Sequence, residues 1–512
     1  MPTFCEIIPH EYRDSVALMQ LSAALAKMRG VTQASAVMGT ENNLNLLRQS
    51  GMEIGQVAVG PNDLVIAVAG DEAAAKAALK EAKARLSSQD QKIEAGDREE
   101  MHPHSIGMAL ARHADANLAM ISTPGEYATA EALKALNLGL NVMLFSNNVS
   151  GADEAMLKRV ARDKDLIVMG PDCGTAIING IPLAFANVVK RGPIGAVGAS
   201  GTGLQEVTVL VDRLGSGISQ AVGTGGHDLS VEVGGISMLT GLKYLIDDPE
   251  TKVIVLISKP PAQEIAAEIL GKARQAGKPV VVIFLGADPK AVTGGNIHGA
   301  ATLEDAARIA VALARGEKPP AADGAIALPP TLPKLAPTQK YIRGLFSGGT
   351  FCFQATMLLQ RDLKIHSNTE VGDSLPLADL FKSEGNTVVD LGDGVFTRGR
   401  PHPMIDYRLR TERIVAEAED PGMAVLLLDV VLGFGSNADP AAELVPALKK
   451  ACELAEQNGR AFICVGHICG TDGDHQGLKS QAKALAEAGM ILADSNAQAV
   501  RLAREIVTQA RH

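Results

Sequence analysis

Four segments of the chain recur, in the same order, on either side of a proline-rich stretch. "GPIGAVGASGTGLQE" (192–206) is matched by "KYIRGLFSGGTFCFQA" (340–355), and "DDPETKVIVLISKPP" (247–261) by "EDPGMAVLLLDVVLG" (419–433). "ARQAGKPVVVIFLG" (273–286) returns as "AEQNGRAFICVGH" (455–467), and "TLEDAARIAVALA" (302–314) as "NAQAVRLAREIV" (496–507). Each series alternates short apolar strands with amphipathic helices, the order of a parallel α/β sheet. A chain written this way is expected to fold as two copies of one flavodoxin-like domain, 191–315 and 340–512. The stretch between them, "GEKPPAADGAIALPPTLPKLAP", holds six prolines. That density blocks helix and central strand alike, so 316–339 reads as a linker.

The N-terminal part is organised differently. Residues 1–86 alternate strand-like and helical segments, with Leu18, Leu21, Leu25 and Met28 at helical spacing, and suggest a small α+β domain of ferredoxin-like type. The polar run "SSQDQKIEAGDREEMHPH" (87–104) reads as a linker or exposed loop. From 103 to 190, "NLAMIS", "NVMLFS" and "LIVMG" imply parallel βα units of a Rossmann-like domain.

Composition excludes several classes. Apolar runs such as "VIVLI" and "PVVVIFLG" have strand length, far below the roughly 20 residues of a membrane helix. The N-terminus has neither a basic region nor a long apolar one, so no secretion signal is expected. Net charge is −10, with 3% aromatic residues and no basic cluster, which argues against nucleic acid. Six cysteines without CxxC or metal-ligand spacing suggest a reduced, cytoplasmic protein.

The two strand-to-helix corners carry the chemistry. The first N–H groups of a helix lack intrahelical partners, and the helix dipole adds about half a positive charge there. An anion is therefore both hydrogen-bonded and electrostatically favoured. Gly198, Gly201 and Gly203 allow close approach, while Ser200 and Thr202 supply hydroxyls. Ser347, Gly348, Gly349 and Thr350 would do the same in the second copy. If the copies pack about a pseudo-twofold, both helix starts face one phosphate-sized site; the plainer alternative is two capped turns. Lys259 follows a buried strand at the end where such folds place ligands. His227 in "GTGGHDLS" has the same placement and could contact an oxyanion. Lys259, His227 and Ser200 are the catalytic candidates. Arg398, Arg400 and His402, near Asp406, suit a carboxylate or phosphate, since arginine binds planar anions bidentately. Ser436 and Asn437 in "GFGSNADP" could complete the pocket. Asp172, Cys173 and Thr175 lie at another strand end, where Cys173 reads as a structural thiol. His467, Asp472, Asp474 and His475 lack diagnostic ligand spacing, so no metal is expected.

These motifs resemble a family. "LIVMGPDCGTAIING", the first corner, and "DDPETKVIVLIS" look like the α subunit of succinyl-CoA synthetase; "NTVVDLGDG" through "VLGFGS" looks like the ligase domain of its β subunit. With "RPHPMIDY" and "VLGFGSNADP", the whole chain resembles the FdrA family of acyl-CoA-synthetase-like proteins. The resemblance implies two ligase domains pointing helix starts at a shared phosphate site.

Departures from the pattern matter too. No segment resembles an ATP-grasp domain. The Gly-Thr-Gly-type turn expected at the start of the CoA-binding half is missing from 103–190, which puts CoA in doubt as a ligand. The loop holding the family's phosphorylated histidine is shortened, leaving His298, and Lys259 stands where an acidic residue is expected. The expected function is therefore acyl phosphate chemistry with phosphate as co-substrate. The resemblance implies carbamoyl transfer of the oxamate type, in which phosphate attacks a ureido acid to give carbamoyl phosphate. The alternatives are an NDP-forming acyl-CoA synthetase with its ATP-grasp half on a partner chain, and a non-catalytic anion-binding assembly protein. Expected partners are a small carboxylate or ureido acid, other protein subunits and further copies of the chain.

Overall fold

The computed structural model describes all residues except 1, 14, 53–54, 56–58, 95–102, 322–325, 327, 330–331, 398–399 and 510–512. It divides into two compact units, residues 1–149 with 394–406, and residues 150–393 with 407–512.

In the first unit, strands Thr3–Ile8, Val31–Met38 and Leu64–Gly70 alternate with helices Ser15–Ala26, Glu41–Gln49 and Glu72–Glu94. The strand Leu64–Gly70 is central and antiparallel to both neighbours. Its unbroken apolar sequence follows from burial on both faces. Leu64, Ile66 and Val68 pack with Leu18, Leu21 and Leu25 on one side, and Val65 and Ala67 with Leu44 and Leu47 on the other. The third helix runs to Glu94, eight residues into the stretch read as a linker. Gln, Lys and Glu have good helix propensity, so polarity alone does not end a helix. Further along, strands Leu118–Ile121 and Asn141–Leu144 pair in parallel around the helix Gly125–Asn137.

The second unit contains both duplicated halves. In the first half, parallel strands stand in the order Ile218–Gly223, Arg191–Gly198, Val253–Ser258, Val280–Phe284, Ile297–Gly299. In the second half, Asn386–Asp390, Tyr341–Phe346, Met423–Val431, Ile463–Cys469 and Met490–Ala493 stand in the same order, with Ile365–Ser367 added outside Asn386–Asp390. Both are the doubly wound order 2-1-3-4-5, in which ligands bind at the carboxyl ends beside the first strand, where the winding reverses. One hairpin departs from the sequence-based division. Thr175–Ile178 and Ile181–Ala184, placed by sequence within 103–190, join the first half's sheet through an antiparallel pairing of Ile177 with Ala221. An edge strand presents unpaired backbone groups, and this hairpin covers them.

Among the described residues, no helix is long and apolar enough to cross a membrane.

Candidate functional site

In the first half, the strand Arg191–Gly198 ends in Ala199 and Ser200, and the helix Gly201–Arg213 follows. Ser200 is the N-cap, its Oγ accepting the Gly203 N–H at 3.0 Å. In the second half, Tyr341–Phe346 leads through Ser347 and the N-cap Gly348 into the helix Gly349–Leu359. Thr202 to Asp212 and Thr350 to Leu359 are buried without interruption, so both helices are enclosed on every side and not on one stripe.

The two helix starts meet. Ser200 Oγ lies 2.6 Å from Thr350 Oγ1, and the Thr350 N–H donates to Thr202 Oγ1 at 3.4 Å. Each helix opens with Gly-Thr, so Gly201 and Gly349 occupy the same position in the two halves. Gly201 is exposed and Gly349 half-buried. Among the described residues, nothing accepts from the N–H groups of Gly201, Thr202 and Gly349. These are orphan donors of two helix starts; Gly201 and, in part, Gly349 are open to solvent, and Thr202 is buried behind them.

Ser347 and Gly348 stand differently from the phosphate-binding role expected of them. Their N–H groups donate to the Asp429 carboxylate at 2.8 and 2.9 Å, and Ser347 Oγ donates to it at 2.8 Å. Asp429 is itself fully buried and paired with Arg410 at 2.7 Å. An internal carboxylate thus already occupies the buried part of the second corner, and with the Thr350 N–H and hydroxyl bonded to Thr202 and Ser200, the Gly349 N–H is what this corner leaves for a ligand.

Charged groups gather around the helix starts. Lys259, exposed at the end of Val253–Ser258, sits 5.6 Å from the Phe353 ring on the second helix. It acts electrostatically on Asp172, Cys352 and Asp390. Asp172 is exposed at the surface, with protein packed around its carboxyl. That crowding raises its carboxyl above the ordinary range, while His227 and Lys259 draw it back. His227 is exposed, and its neighbour Asp228 is fully buried. Lys158, also fully buried, holds Asp228 at 2.8 Å, Glu154 at 2.6 Å and the Thr224 carbonyl at 2.8 Å. Asp228 additionally accepts from Ser237 N–H at 3.2 Å and Met238 N–H at 2.8 Å, at the start of the helix Ile236–Asp247. The His227 loop is therefore anchored from beneath by a buried ion cluster.

Asp390 closes the strand Asn386–Asp390 beside the second helix start. A side chain at Gly349 would place Cβ 2.6 Å from Asp390 Oδ2, so any larger residue there would have to displace that carboxyl. Burial pushes Asp390 up to about 7, against the lowering effects of the Gly392 N–H and Lys259.

Other sequence candidates fall elsewhere. Arg398 lies outside the described residues. Arg400, exposed, and His402 belong to the first unit, where the His402 ring accepts the Met404 N–H at 3.2 Å. Asn437 Oδ1 caps its own loop through the Asp439 N–H at 2.9 Å, and Ser436 Oγ is buried without a partner. His298 sits within the edge strand Ile297–Gly299, opposite Val281. Ser258 pairs with Phe284, three residues further along, so His298 lies about 10 Å below the carboxyl edge. Burial pushes the Cys173 thiol up to about 12, making it inert. The His/Asp cluster does not converge: Asp474 binds Asn187, Val188 N–H and Thr471 N–H, Asp472 pairs with Lys479, and His467 is fully buried. Among the described residues, no group of three or more His, Cys, Asp or Glu could hold a metal. Sequence reasoning missed Asp390, Asp429, Lys158 and Asp228. The signal available for Asp429 was one carboxylate inside the apolar run "VLLLDVV", which burial forces to find donors.

Comparison with known proteins fits this architecture. A family model described as CoA-ligase matches residues 345–506, and one described as CoA binding domain matches 189–286. A third, described as AllF, heavy metal-associated domain, matches 1–103. The Escherichia coli (strain K12) protein YahF, described as uncharacterized, is 42% identical over 507 residues, 98% of each chain. The succinate–CoA ligase [ADP-forming] subunit alpha 2 of Archaeoglobus fulgidus is 29% identical over 176 residues, covering 33% of this chain and 59% of its own. A dinucleotide-forming acetyl-coenzyme A synthetase 1 of Ca. Korarchaeum cryptofilum aligns over 77% of this chain and 83% of its own, at 16% identity and a TM-score of 0.32. A likeness at that score carries no argument.

The doubt over CoA is overturned by the first two matches. The CoA-binding model covers 189–286, so all but its first two residues lie beyond 103–190, and it contains Gly198 to Gly203. A chain with a CoA-binding and a CoA-ligase domain has CoA as an expected ligand. The orphan N–H groups of Gly201 and Thr202 fit a ligand that carries phosphate. This is an enzyme of the CoA-ligase type: the chain belongs to the FdrA family of succinyl-CoA-synthetase-like acyl-CoA ligases.

Proposed function

We propose that the chain is the acyl-transferring part of an NDP-forming acyl-CoA synthetase, handling an acyl phosphate and working with an ATP-grasp partner chain. The observation that carries this reading is the meeting of two helix starts with unpartnered N–H groups on Gly201, Thr202 and Gly349. A phosphoryl group placed there is held by several donors fixed before it arrives, so their orientation costs nothing during the reaction. Lys259 supplies the cationic charge for the developing oxyanion, with Asp172 within electrostatic reach of both it and His227. CoA, when bound, supplies the thiol that carries the acyl group. The succinate–CoA ligase α-subunit relatives favour this reading over carbamoyl transfer, although the chain covers only 59% of the subunit quoted above.

The acyl-phosphate half-reaction needs no nucleotide and can be tested on the chain alone. Inorganic phosphate attacks the thioester carbonyl carbon of an acyl-CoA, the C–S bond breaks, and CoA leaves as a thiolate that takes up a proton. Purified protein incubated with phosphate and a panel of short acyl-CoAs, acetyl and succinyl among them, is expected to release free thiol in a phosphate-dependent manner. No phosphate-dependent thiol release from any acyl-CoA, with or without a candidate ATP-grasp partner, would overturn the reading.

A further inference from the structure

We propose that Asp390 is the proton carrier of the anion site: an anion bound across the Gly201 and Gly349 helix starts brings one proton onto this carboxyl, which leaves when the anion leaves. The inference rests on the phosphoryl-site reading above and assigns the site a proton stoichiometry.

Asp390 Oδ2 lies against the Cα of Gly349, whose N–H is one of the orphan donors. An ionised carboxylate in that position competes directly with an incoming anion for the positive end of the helix, and two like charges so close cannot both persist at low cost. The side chain is fixed: Oδ1 accepts the Gly392 N–H at 2.8 Å. The backbone of Asp390 is locked to Asn368 by two further bonds of 2.9 Å. Moving the carboxyl aside would cost the Gly392 bond, and protonation relieves the repulsion with that bond kept.

The groups acting on it come from three directions. Lys259, from the first half, favours the ionised form. Asp393, on its own loop, and Asp429, on the strand Met423–Val431 two places along the sheet, favour the protonated one. Burial exceeds all of these and places the carboxyl at about 7 in the absence of a ligand. The sign follows directly. Below about pH 7 the proton is already present; above it the carboxylate is charged, and anion binding must recruit a proton from solvent.

Sulfate is the probe, because its charge does not change across the range of interest. Calorimetric titration of the whole chain with sulfate at pH 7.5, in buffers of different ionisation enthalpy, is expected to show uptake of about half to one proton per anion. Affinity is expected to fall by up to about tenfold per pH unit above pH 7. In Asp390→Asn, which keeps an acceptor for Gly392, proton uptake is expected to vanish and affinity to become flat with pH. Asp390→Ser serves the same comparison if the asparagine variant does not fold. Wild-type binding without proton uptake, or uptake unchanged in the variant, would overturn the inference while leaving the site intact. Failure of sulfate to bind either protein even at pH 5.5 would instead sink the site, and the proposed function with it.

Discussion

Replacing Lys158 by methionine is expected to lower the stability of the unit holding the duplicated halves by about 3–5 kcal/mol. Lys158 is fully buried, and its ammonium is the cation shared by Glu154 and Asp228, themselves almost without exposure. Methionine fills the aliphatic stem but leaves two carboxylates side by side in a dry interior. Removing one member of a buried ion cluster costs far more than the cluster contributes over a neutral replacement. In a thermal scan the transition should fall by on the order of 10 °C. The charge origin of the effect is checked by adding Glu154→Gln and Asp228→Asn to Lys158→Met: the triple variant should recover much of the loss. A single variant that melts within 2 °C of the wild type would show that the cluster is not what anchors the His227 loop.

The second large effect falls on Lys259. It is a cation that the first half contributes beside the helix starts. Lys259→Met is expected to reduce acyl transfer to phosphate by about 10²- to 10³-fold in kcat, the range seen when a fixed oxyanion donor is removed. The substitution leaves an exposed surface, so melting should be unchanged. His298→Gln, about 10 Å below the carboxyl edge, is expected to leave the rate within about twofold. A reversed outcome, with His298 essential and Lys259 dispensable, would mean that a relay through His298 survives.

Much of this architecture is written in local patterns. The matched corners, the acidic-Pro turns and the strand lengths repeat because each half must bury the same faces, and those patterns give the doubly wound order directly. Ser200, Thr202 and Thr350 were legible for the same reason: Gly-Thr after a strand is a helix start wherever it occurs. Asp429 was not. In the first half, Gly198 pairs with Ile257, and the backbone carbonyl of Ile257 accepts the Ala199 N–H at 2.9 Å. In the second half, Leu345 pairs with Leu428, the residue before Asp429, and a carboxylate does the corresponding work. Repetition predicts likeness, and this is a place where the halves differ. Lys158, Asp228 and Asp390 escaped because their meaning depends on partners 70 or more residues away, or on burial that no short window of sequence displays. The misjudged CoA site had another cause: the turn was looked for in the segment whose strands resembled a Rossmann unit, while the matching domain begins at residue 189.

The halves are stitched well beyond their shared corner. Asn187 reaches Asp474 at 2.8 Å, Arg213 holds the carbonyls of Ile468 and Gly470 at 2.7 and 2.9 Å, and the Asn496 N–H binds Glu206 at 2.9 Å. Cohesion of this kind belongs to an obligate heterodimer seam rather than to two lobes on a tether. The peptide connection through 316–339 then supplies one of each half per molecule, and separating the halves would break all of these bonds at once.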